Sequence, residues 1–183
     1  MKPALTATVA LATALLWSGC TTPATISTPR LEQLNAQITA NPNDAQAHAN
    51  RGYVRALLGQ KDAARKDLRR AVELADTGPM HNQVGWAYFN MSDAADALHH
   101  WQIAAERSKG NARYDYYSLA LGYWVNGDIT KALLNYDLAA KRDARLAEAK
   151  TLAERITNWT DTEKREITAI FTLWSKAYSP AKP

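Results

Sequence analysis

An all-α fold, built as a solenoid of stacked helical hairpins, is predicted by three observations. Alanine is abundant while the 183 residues hold only 8 glycines, and runs of β-branched residues are absent. Apolar residues recur at helical rather than strand spacing. A pattern of small and large residues begins again at positions 45, 78 and 113, which lie 33 and 35 residues apart. Self-similarity at such a period marks an array of two-helix units.

The elements follow in chain order. Residues 1–19 carry Lys2, an apolar stretch over 4–16, and small residues at 18 and 19. A charged start, an apolar stretch too short to cross a bilayer as a helix, and small residues before a cut are features of an export signal. Cys20 is the only cysteine. Residues 21–29 are polar and punctuated by prolines, so positions 20–29 read as a tether, spanning about 30 Å when extended. Beyond the signal, 21 basic and 18 acidic residues leave a formal charge of +3. That balance argues against nucleic acid as a partner. The stretch after the tether suits one domain.

Residues 30–44 are predicted as an N-terminal capping helix with Leu31, Leu34 and Ile38 on one side, ended by Asn41-Pro42-Asn43. Three repeats follow over 45–77, 78–112 and 113–144. A small residue in helix A (Gly52, Gly85, Ala120) and one in helix B (Ala64, Ala97, Ala132) let the pair approach closely. A large residue later in helix B (Leu68, Trp101, Tyr136) fills the space between neighbours, and a second alanine (Ala71, Ala104, Ala139) admits the next unit. Gly59 and Gly127 supply left-handed stops between helices. The second unit has Ser92-Asp93 there, a weaker stop, with Asp93 able to cap the helix after it.

Terminal units of an array otherwise expose an apolar face, and residues 145–178 are predicted as C-terminal capping helices. The first covers 146–156 through Ala149, Leu152, Ala153 and Ile156. The second starts at Asp161 behind the Thr160/Glu163 capping box, with a stripe of Ile167, Ile170, Phe171, Trp174 and Tyr178. That stripe reads as a cap; the alternative is a partner surface formed by Phe171, Trp174 and Tyr178. Residues 179–183 form a tail.

The repeat positions over 45–144 resemble the tetratricopeptide family. In that family the A helices line a concave groove that receives extended peptides or partner helices. The resemblance places Asn50, Tyr53 and Leu57 of the first unit in such a groove. It adds Asn82, Gln83, Trp86, Phe89 and Asn90 from the second unit, then Tyr114, Tyr117, Ser118, Leu121 and Trp124 from the third. Amides can pair with peptide backbone, and aromatics supply stiff contact area. A neutral or partly apolar peptide fits that mixture. The lysines and arginines that clamp a terminal carboxylate in the cytosolic chaperone-binding members are missing from these positions. The alternative for Trp86 and Tyr117 is burial between repeats.

Ser18-Gly19-Cys20 resembles the lipobox of bacterial lipoproteins, although Trp17 departs from that family's leucine. The resemblance implies a diacylglyceryl group on Cys20, cleavage before it and acylation of the new amine. Thr21, where aspartate marks inner-membrane retention, implies an outer-membrane anchor with the body facing the periplasm of a Gram-negative host. In a Gram-positive host the same anchor would hold it outside the cytoplasmic membrane. The other reading is an ordinary secretory signal, which would export one unpaired thiol into an oxidising compartment.

Arg65, Lys66, Arg69 and Arg70 form a basic cluster, read as a solvated face with a contact to anionic lipid, lipopolysaccharide or wall polymer as the alternative. His99 and His100 are adjacent on a helix and point about 100° apart, poor geometry for one metal. His48 and His81 occupy equivalent repeat positions, as structural residues would. No HExxH, phosphate loop or GxSxG elbow occurs, and no catalytic residue, cofactor or metal is expected. The functional expectation is therefore a non-enzymatic envelope adaptor that holds a protein or peptide. Outer-membrane tetratricopeptide lipoproteins of the pilotin kind suggest pilus or secretion assembly. The alternatives are scaffolding of peptidoglycan hydrolases and synthases, or a periplasmic immunity or inhibitor lipoprotein.

Overall fold

The computed structural model describes residues 23–111 and 114–178, with side chains from Pro29 onward. The export signal, Cys20 and the 179–183 tail lie outside the described residues. Among those described the chain forms α-helices and one 3₁₀ turn, with no strand. Helix α1 spans Pro23–Ala40, α2 Ala45–Leu57 and α3 Lys61–Leu74. Helix α4 spans Gly78–Asn90, α5 Ala94–Ser108, α6 Asp115–Val125 and α7 Ile129–Arg142. A 3₁₀ turn at Ala144–Leu146 leads into α8 (Ala149–Arg155) and α9 (Asp161–Tyr178).

The pairs α2–α3, α4–α5 and α6–α7 are the three hairpins, stacked in sequence. Their contacts are set by residue size. A side chain on Gly52 would collide with Leu68, and one on Gly85 would collide with the Trp101 indole. Ala64, Ala97, Ala132, Leu68, Trp101, Tyr136 and the three later alanines are all buried. One close approach escapes the sequence reading: besides Ala120, which is buried as expected, Gly122 lets α6 lie against Leu98 and Trp101 of the preceding hairpin.

Helix starts and stops follow local chemistry. The Asp44 carboxylate accepts from the Ala47 amide, the Thr77 hydroxyl from Met80 and the Asp128 carboxylate from Lys131. Each satisfies an N–H that the first turn leaves without a partner. Gly59 and Gly127 stop their helices at φ 73° and 83°. Ser92 does the same at φ 63°, although a β-carbon makes that region costly. Asp93 makes no capping bond; its carboxylate is taken instead by Arg65 at 2.6 Å.

Two expected boundaries move. Helix α1 starts at Pro23, inside the segment read as a tether. Pro23 occupies the first helical position, where a missing N–H costs nothing, and Pro29 is accommodated within the helix. The single helix expected over 146–156 is split, because Glu148 adopts an extended conformation (φ −126°, ψ 138°) that ends one turn and opens the next. Leu146, Leu152 and Ile156 are still buried, while Ala153 is exposed.

Helix α9 closes the end of the stack. Ile167, Ile170 and Trp174 are buried, the Trp174 ring lies 5.4 Å from Tyr136, and its indole N–H donates to Asp137 at 3.2 Å. Phe171 joins the same cluster. Of the three residues offered as a partner surface, only Tyr178 is exposed, at 46 %. The stripe is spent on packing because its 3–4 residue spacing puts Ile167, Ile170 and Trp174 on one face against α7.

Candidate cavity between the A helices and α9

Five of the residues expected in the groove come together. Tyr53 from α2, Asn82, Gln83 and Trp86 from α4, and Tyr117 from α6 line one open cavity of about 380 Å³. Asn158, Trp159 and Glu163 complete its wall. The groove face of the repeats is therefore partly roofed by the chain's own segment at the start of α9.

The aromatic walls are mutually braced. Trp86 lies 5.1 Å from Trp159 and 6.2 Å from Tyr117, ring centre to ring centre, and Tyr117 lies 6.0 Å from Trp159. Trp86 also packs edge-on against the buried Trp101. Such offset and edge-to-face arrangements hold the rings rigidly. Tyr117 also carries the Arg155 guanidinium, 5.2 Å from the ring centre, and Arg155 in turn reaches Asp143 at 3.4 Å.

The polar walls are equally fixed. Gln46 donates to both Asn50 and Gln83, and Gln83 donates to Asn50 at 2.8 Å. The Asn82 side-chain oxygen accepts from Ser118, also at 2.8 Å. Glu163 is only 4 % exposed. Its carboxylate accepts from Asn90 at 2.7 Å, from the Tyr53 hydroxyl at 3.2 Å and from the Thr160 amide at 2.8 Å. The last bond is half of the expected capping box, completed by the Glu163 amide donating to Thr160. Burial, and then the charge of Glu163, push the Tyr53 phenol well above its ordinary range, so it stays a donor. Burial likewise raises Tyr117, with Arg155 opposing.

The remaining groove candidates lie elsewhere. Ser118 and Leu121 are buried against the neighbouring helices, and Phe89, also buried, lines a separate cavity with Val125 and Glu166. Asn90 is committed to Glu163 and Thr160, and the Trp124 indole donates to Glu166 at 2.9 Å. Asn50 is tied into the amide network behind the cavity. Tyr114 sits just ahead of α6 and is not part of the wall, nor is the exposed Leu57. Asn158, Trp159 and Glu163 are wall residues that the sequence reading does not place there. The sequence signal for Trp159 is a large aromatic in a short connection between two amphipathic helices, while the sequence marks Glu163 only as a cap.

Outside the cavity, the basic cluster is largely paired. Arg65 binds Asp62 and Asp93, and Arg70 binds Glu73, while Lys66 and Arg69 are exposed. His48 contacts the Pro42 carbonyl, and His81 bridges Asp76 at 2.7 Å and His100 at 2.8 Å. Among the described residues no group of three or more histidines, cysteines or carboxylates could hold a metal. No helix among them is long and apolar enough to cross a membrane.

No known family model matches the chain, and no curated protein matches it. Among solved structures, a MamA RS-1 ArsTM double mutant superimposes with a TM-score of 0.56 at 16 % identity, over 84 % of this chain and 87 % of that one. MamA is a tetratricopeptide-type protein, and the likeness, with the stacked hairpins above, shows a tetratricopeptide-like, all-helical solenoid fold.

Proposed function

We propose that the chain is a non-enzymatic adaptor that holds a protein or peptide against its A helices while a lipid on Cys20 fixes it to the bacterial envelope. The observation that carries this reading is the cavity itself. Rigid aromatic faces and fixed amides from three successive A helices open onto solvent, the kind of surface that supplies most of the energy in protein recognition. The outer membrane, with the body facing the periplasm, is the proposed location, and pilus or secretion assembly the proposed process.

Partner capture from envelope extract with the full chain tests the groove. Trp86→Ala combined with Tyr117→Ala is expected to lose the captured protein; an unchanged set would overturn the assignment. Radioactive palmitate tests the anchor separately: the label should be absent from Cys20→Ala, and its persistence there would rule out lipidation at that residue.

A further inference from the structure

Glu163 is a buried carboxylate whose bonds come from neutral donors: an amide side chain, a phenol and a backbone N–H. Among the described residues no lysine or arginine pairs with it. A buried charge is ordinarily matched by an opposite one. Glu163 lines the cavity together with Trp86, Trp159 and Tyr117. The face of an aromatic ring is the negative part of its quadrupole and attracts cations.

We infer that the cavity receives a cationic side chain, a lysine ammonium or an arginine guanidinium, presented by the protein partner. This rests on the adaptor reading above and adds the chemistry by which the partner is recognised. The three rings pack against one another, with centres 5.1 to 6.2 Å apart, and form one aromatic wall for the alkyl stem and head. The Glu163 carboxylate supplies the opposite charge at the wall, and the amides of Asn82 and Gln83 line the same cavity. An acidic side chain would meet a like charge, and a neutral apolar one would leave the carboxylate without its counter-ion. The chain already uses the same chemistry at Tyr117, where the Arg155 guanidinium sits over the ring and is paired to Asp143.

The test is a titration of the full chain in detergent, read by the indole N–H signals of Trp86 and Trp159, each identified by its Trp→Phe variant. The probes are N-acetyl-lysine methylamide, N-acetyl-arginine methylamide, their neutral counterpart N-acetyl-norleucine methylamide, and tetramethylammonium. The lysine or arginine probe should shift both signals at millimolar concentration, with norleucine at least about tenfold weaker. Glu163→Gln keeps a side-chain oxygen for the Asn90 and Tyr53 donors, gives up the bond from the Thr160 amide, and should weaken cation binding at least about tenfold. Trp159→Leu, which leaves the acid in place, should weaken it as well and serves if Glu163→Gln fails to fold. Equal binding of norleucine, or no shift with either cationic side chain up to about 50 mM, would overturn the inference. Tighter binding of tetramethylammonium than of both side-chain probes would overturn it in favour of a small quaternary ammonium ligand. Partner capture that survives in Glu163→Gln without any cation binding would sink this inference alone. Cation binding without any partner captured would sink the adaptor reading instead.

Discussion

Gly85 has no side chain because Trp101 needs the space. A β-carbon there would stand 2.5 Å from the indole nitrogen of a ring that is itself wedged between α4, α5 and α6. Gly85→Ala is expected to destabilise the protein by about 1–3 kcal/mol, despite alanine's better helix propensity. Gly52→Ala meets a methyl and the branch carbon of Leu68, with the Ala64 carbonyl at 3.3 Å, and should cost less than the collision with a rigid indole; urea unfolding of the two variants checks the order. His100 offers a second test at this scale. Burial, then the neighbouring His81 and His99, hold its pKa at about 4, below the usual 6.5. The unfolded chain therefore binds a proton that the folded chain refuses between those values. Stability should fall as pH drops through that window, by about 2 kcal/mol at pH 4.5 relative to pH 7. Urea titrations of His100→Gln should show a correspondingly smaller drop, and parallel curves would exclude His100 as the source.

Among the elements, the turn between α4 and α5 stands apart. The equivalent turns use glycine in the left-handed region, whereas Ser92 adopts φ 63° with a β-carbon in place. Its amide still donates to the Phe89 carbonyl and that of Asp93 to the Tyr88 carbonyl, so the stop is complete in hydrogen bonds and only the side chain is strained. Ser92→Gly should therefore stabilise the protein by about 1 kcal/mol, raising the thermal midpoint by several degrees. A lowered midpoint would show that the serine side chain contributes something the turn geometry does not reveal. The α3–α5 link is of a different kind. Arg65 reaches Asp93 across the hairpin boundary, taking the residue that the sequence pattern had assigned to capping.

For the molecule as a whole, α9 is both lid and link. Its C-terminal half packs on α7, while Glu163 at its start reaches Asn90 of α4 and Tyr53 of α2. Repeat arrays are held by nearest-neighbour contacts, and this contact spans three hairpins. Ile170→Ala, which removes a fully buried side chain, should cost about 2–4 kcal/mol. Amide exchange should then quicken in α6, α7 and α9 before α2 and α3. Uniform loss of protection would mean that the stack unfolds as a single unit.

The repeat period, the hairpin helices, their small and large contact positions and the Thr160/Glu163 cap are written in local spacing and residue size, so the amino-acid order alone specified them. The tetratricopeptide resemblance is what placed Tyr53, Asn82, Gln83, Trp86 and Tyr117 on one surface, and the repeat period keeps that surface aligned from unit to unit. Where α9 lands was decided only in three dimensions. Its amphipathic stripe announced that it would be buried, but not against which helices. The docking that seals Trp174 against Tyr136 also brings Trp159 and Glu163 to the A helices, more than 100 residues from Tyr53 in the chain. Packing of one apolar stripe thus turned an open groove into a walled cavity, and no pattern local to either segment carries that information.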